Sequence, residues 1–122
     1  HHRALAVDEM PSFMRRLRAA EGAGARALEF AILTAARSGE VRGATWSEID
    51  LRQKVWTIDG VRMKAGREHR VPLSDAATNV LATLPKGGAN DPVFVASRGG
   101  PLSDMTVAAV LRRLEVDAVP HG

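Results

Sequence analysis

Cysteine and tyrosine are both absent from the 122 residues, and aromatic side chains amount to two tryptophans and three phenylalanines. Without cysteine there is no disulfide framework, no thiolate metal site and no thiol nucleophile, which suits a reducing, cytoplasmic setting better than an extracellular scaffold. Without tyrosine there is no phenolic nucleophile. No apolar run approaches the roughly 20 residues needed to cross a bilayer; the stretch 28–36 stops at Arg37, so no membrane association is expected. No secretory signal is visible. A Walker-type phosphate loop, a GxGxxG turn and a GxSxG elbow are missing as well, and His1 and His2 have no further ligands at zinc spacing. Neither a metal site nor a cofactor is expected.

What the chain does have suits one domain over 1–122: 45% hydrophobic residues for a modest core and 25% charged residues for its surface. The 17 basic residues exceed the 14 acidic ones by only three, so their distribution matters more than their sum. Lysine occurs only as Lys54, Lys64 and Lys86; arginines gather at 15–18, 37–42, 62–70 and 112–113. A guanidinium fork matches phosphate geometry where a lysine offers a point charge. A GC-rich genome would enrich arginine just as well, so composition leaves both readings open.

Periodicity predicts a run of short elements. Asp8 caps a first helix with Pro11 in its first turn and Phe13, Met14 and Leu17 on its apolar face, and Gly22 and Gly24 break it. The segment 25–36, apolar nearly all round, predicts a central buried helix that delivers Arg37 outward. Ser38 caps a following short helix with Glu40 in its first turn and Val41, Trp46 and Ile49 inward. Then the period shortens. Strands are predicted at 55–58, 61–63 and 69–73, the first two joined by a type I′ turn at Asp59-Gly60. Ser74 starts a helix that runs toward Pro85, 93–95 is a short buried segment, 99–101 a turn, and Ser103 with Asp104 opens a last helix carrying Met105, Val107, Val110, Leu111 and Leu114. The implied class is α+β, mostly helical, with a small three-stranded antiparallel sheet.

Taken singly, the residues suited to chemistry have ordinary explanations. Arg37 at the end of an apolar helix either snorkels, pairs with Glu40 or awaits an anion. Lys64 beside a hairpin turn reads as an edge lysine that discourages sheet association. Order and context change that. The run 34–50, Thr-Ala-Ala-Arg-Ser-Gly-Glu followed by Val-Arg-Gly-Ala-Thr-Trp-Ser-Glu-Ile-Asp, resembles the first arginine box of the tyrosine recombinases, the phage integrase family. Residues 56–58 and 62–74, with Met63-Lys64 and His69-Arg70-Val71-Pro72-Leu73-Ser74, resemble its β-hairpin lysine region in the version common among prophage integrases. Pro120-His121-Gly122 resembles the opening of its histidine and second-arginine box.

The resemblance implies a partial recombinase catalytic domain. By it, Arg37 contacts the non-bridging oxygens of the scissile phosphate, Glu40 helps hold that arginine, Lys64 is the general acid for the leaving 5′ oxygen, and His121 assists at the phosphate. Arg42, Arg62 and Arg67 would contact DNA, with no metal or ATP required. The partners implied are double-stranded DNA, bound weakly and with steep salt dependence by this portion, and other recombinase protomers in a full-length enzyme. Two departures, Ala35 where glycine is commoner and Ala44 where leucine is commoner, concern packing. The family's nucleophile is a tyrosine, so 122 residues without one imply a piece cut before the second arginine and the tyrosine, inactive by itself and with apolar surface exposed for self-association. Two other classes stay open: a catalytically silent DNA-binding module, and a helical protein-interaction domain in which Arg37 and Lys64 lie apart.

Overall fold

The computed structural model describes residues 10–118, in which helices α1 (Met10–Ala19), α2 (Ala23–Thr34) and α3 (Ser38–Arg42) precede strands β1 (Ile49–Asp50), β2 (Val55–Ile58) and β3 (His69–Pro72) and helices α4 (Asp75–Ala82) and α5 (Asp104–Ala118). The Asp8 cap, His1, His2 and His121 lie outside the described residues. The class is α+β as the sequence implies: mostly helical, with one antiparallel sheet in the order β1-β2-β3. α2 is the central element, packing on α1, α3, α4 and α5. Phe30 on its inner face meets Trp56 of β2 and Phe94 at ring-centroid separations of 5.2 and 5.5 Å, joining helices and sheet in one core.

Several boundaries differ from expectation for local reasons. Gly24 lies inside α2 rather than ending α1. What finishes α1 is Arg26, whose Nη2 donates to the carbonyls of Ala20 (2.9 Å) and Leu17 (2.6 Å) at the helix C-terminus, Leu17 O also accepting from Ala20 N. Glu29, buried, faces the same guanidinium at 3.3 Å. The segment 93–95 is buried only at Val93 and Phe94, since Val95 is 43% exposed, and Met105 is 77% exposed and outside the core. Ser74 caps α4 as expected, accepting from the Ala77 N–H at 3.1 Å. At its first position Asp75 accepts from Lys54 Nζ at 2.6 Å, and that hydrogen bond and charge hold its carboxyl below the usual carboxylate range. Between α2 and α5 a recess of about 340 Å³ is lined by Ala31, Ile32 and Leu111 together with the buried Leu28 and Val107.

Ala35 ends α2 in the left-handed conformation (φ 55°, ψ 29°), with the closing N–H groups on Ala31 O and Ile32 O. That geometry accounts physically for the glycine commoner there: a Cβ in this region crowds the neighbouring carbonyl. Ala35→Gly is therefore expected to raise the unfolding free energy by about 0.5–1 kcal/mol, the relieved strain exceeding the added flexibility of the unfolded chain. Urea unfolding of the two proteins checks this, and a loss of stability would refute it.

The largest correction is in the sheet. Segment 61–63 is not a strand. Asp59 Oδ1 accepts from Val61 N at 3.0 Å and starts a 3₁₀ turn over Gly60–Arg62, leaving Val61 92% exposed. β3 then pairs directly with β2 in the register Trp56↔Val71 and Ile58↔His69, and β1 supplies the third strand through Ile49↔Trp56. The chain from 59 to 68 is a folded loop of successive turns, closed by Met63 N on Gly60 O and Gly66 N on Met63 O. It doubles back so tightly that a Cβ on Gly60 would sit 2.7 Å from Gly66 O, which only glycine avoids.

Candidate functional site

Arg37 is the N-cap of α3. Its extended backbone (φ −79°, ψ 152°) turns the chain out of α2's capping bend. The expected cap, Ser38, is the first helical residue instead; Glu40 does the capping, its Oε1 accepting from Arg37 N at 3.1 Å. Glu40 thus holds Arg37 through its backbone, leaving an exposed guanidinium at the helix N-terminus, where an anion is favoured. Ser38 Oγ meanwhile donates to Asp104 Oδ1 (3.1 Å) and accepts from Arg42 Nε (3.0 Å). Arg42, expected on DNA, is held in this bridge between α3 and the start of α5.

Lys64 and Arg67 are exposed in the loop between β2 and β3. Among the described residues no carboxylate pairs with either of them or with Arg37. Arg62 behaves differently. Its fork donates to Glu48 from Nε (3.2 Å) and Nη2 (2.7 Å), and its remaining Nη1 donates to the carbonyl of Glu40 at 3.2 Å. A Cβ on Gly43 would collide with that guanidinium, so the fit against α3 depends on glycine there. Met63, next to Lys64, packs against the core.

Glu48 is the residue that sequence reasoning missed. It closes a 3₁₀ turn over Trp46–Glu48, so the chain after α3 is not one continued helix, as the pattern implied, but helix, turn and strand. Its carboxylate, 9% exposed, accepts from Trp56 Nε1 (3.2 Å) and Asp59 N (3.2 Å) as well as from Arg62. A carboxylate flanked by Trp46 and Ile49 was the available signal, since a charge between two core residues needs partners.

The geometry therefore brings Arg37 and the root of the Lys64 loop to one residue, Glu40: its side chain takes the Arg37 N–H and its carbonyl takes Arg62. Two exposed cations supported on a common rigid base suit an oxyanion with several acceptor oxygens, such as a phosphodiester. His121 lies outside the described residues. Among the described residues there is no cluster of three metal-ligating side chains, and no helix is long and apolar enough to cross a membrane.

The model of the Phage integrase family matches residues 3–119. The chain is 34% identical over 122 residues to prophage integrase IntA of Escherichia coli K12, covering 94% of this chain and 30% of that protein. It is 33% identical over 134 residues to the integrase of Enterobacteria phage P4, covering 96% and 30%. The chain spans about a third of the length of the curated relatives it matches. Among solved structures, the Tn1549 transposon integrase in complex with a circular intermediate DNA superposes with a TM-score of 0.77 at 14% identity, over 94% of this chain and 44% of that one. A lambda integrase tetramer bound to a Holliday junction superposes at 0.69 and 22% identity, over 98% and 37%.

Proposed function

The chain belongs to the phage integrase family, and from that premise we propose that it supplies the first arginine and the lysine of a site-specific DNA recombinase that cuts and rejoins strands through a phosphotyrosyl bond. Double-stranded DNA is the substrate, and other protomers of the same enzyme are partners. The observation that carries this reading is the shared footing of Arg37 and the Lys64 loop on Glu40.

In the proposed reaction a tyrosine from outside these 122 residues attacks the scissile phosphorus. The phenol gives up its proton to solvent as the Tyr O–P bond forms, the P–O5′ bond breaks, and Lys64 gives its proton to the departing 5′ oxygen. Arg37 stabilises the charge that grows on the non-bridging oxygens, and His121 assists at the same phosphate. Rejoining reverses each step, so the phosphodiester energy is kept in the covalent link. Arg67 touches flanking phosphates, whereas Arg42 and Arg62, engaged by Asp104 and Glu48, brace the frame. By itself the piece binds DNA through phosphates and cleaves nothing, because its nucleophile lies elsewhere.

A second reading, a catalytically silent DNA-binding module, is favoured by the absence of tyrosine from the sequence. One experiment separates them. The open reading frame containing these codons is expressed whole and incubated with nicked duplex DNA. A detergent-resistant protein–DNA adduct is expected from a frame that continues through an arginine and a tyrosine; a frame without them, or no adduct, supports the silent module.

A further inference from the structure

Most of the loop from 59 to 68 faces solvent, with only Arg62 and Met63 partly buried besides Gly60. Such a segment should wander, yet its lysine has to meet an arginine on another element. Within the loop, Arg62 commits all three guanidinium nitrogens to other elements: two to Glu48 and one to Glu40 O. Glu48 in turn holds the loop's first residue through Asp59 N and the sheet through Trp56 Nε1. We propose that Glu48 and Arg62 are positioning residues that hold the Lys64 loop in register with Arg37, so that both cations reach one phosphate; this rests on the recombinase reading above.

The choice of an ion pair is informative. Two well-packed apolar side chains would anchor the loop at least as firmly, because desolvating charges offsets much of their attraction. An apolar pair would not fix direction. The planar fork does: its bidentate side fixes Arg62 on Glu48, and the nitrogen left over points to α3, one residue's reach from Arg37 N. Lysine at 62 cannot do both, since one ammonium replaces the fork.

The test is a double-mutant cycle on DNA affinity, measured with a short duplex at low salt by fluorescence anisotropy. Arg37→Ala, Lys64→Ala and the pair are compared in two backgrounds: the natural protein, and E48Q/R62M. In that second background neither charge is left unpaired, and the glutamine oxygen still accepts from one of Trp56 Nε1 and Asp59 N, which bond separate carboxylate oxygens in the natural protein. In the natural background the loss for the pair should fall short of the product of the single losses by about fivefold or more, the range of coupled neighbours. In E48Q/R62M, shown folded by its thermal transition, the losses should simply multiply. Coupling that persists there overturns the positioning role and leaves the recombinase reading standing. Absence of DNA binding or of coupling in the natural background overturns the recombinase reading itself. Should E48Q/R62M fail to fold, Arg62→Lys carries the same comparison, with the same two outcomes.

Discussion

Replacing Glu48 by alanine is expected to lower the unfolding free energy by about 2–4 kcal/mol, with a fall in Tm on the order of 10 °C. The value follows from what is stranded. Arg62 keeps its charge but loses both fork partners, and the Trp56 indole loses its acceptor in a setting where water has little access, while the exposed Asp59 amide turns to water. A fully buried pair would cost more; Arg62 retains a quarter of its side-chain exposure, which lets water compensate part of the charge. Urea unfolding with a constant slope is the check. A change below about 0.5 kcal/mol, the size typical of a plain surface substitution, would mean that Glu48 is solvated in solution.

Arg37→Ala is expected to do the opposite, sparing stability and removing chemistry. The side chain is exposed, and the contact it makes to Glu40 uses the backbone N–H that alanine also has, so unfolding should change by less than about 0.5 kcal/mol. In the proposed intact enzyme the same substitution removes a guanidinium aimed at growing negative charge, and adduct formation should slow by about 10²–10³-fold, the cost of losing one oxyanion donor. Single-turnover rates with nicked DNA measure this. A rate within threefold of the natural enzyme would remove Arg37 from the reaction.

Much of this arrangement was legible in the residues, and the failures have a common cause. α2, α4 and α5 declared themselves because their apolar periodicity is set by burial against neighbours, and Ser74 by the standard chemistry of a cap. The Asp59-Gly60 dipeptide misled: it favours a tight hairpin when nothing competes, but here a side chain distant in sequence, Glu48, takes the Asp59 amide and pulls Arg62 inward, so the chain leaves the ladder before it can pair. The extra strand at Ile49–Asp50 was invisible for the same reason, being two residues long and defined wholly by its partner. Arg37, Lys64 and Glu40 came from the family's motif order rather than from local pattern. Glu48 came only from the coordinates, and so did the partners of Arg62, which the resemblance had placed on DNA.

The central proposal is that Arg37 and Lys64, which share a footing on Glu40, reach one phosphate. A chain without cysteine allows a clean measurement: thiols introduced at positions 37 and 64 are the only ones present and are treated with a short bifunctional thiol reagent. The pair at Lys54 and Asp75, whose side chains touch at 2.6 Å, serves as the positive control. Efficient intramolecular cross-linking of 37 to 64, comparable to that control, is the predicted result. Cross-linking of the control with none between 37 and 64 would contradict the account.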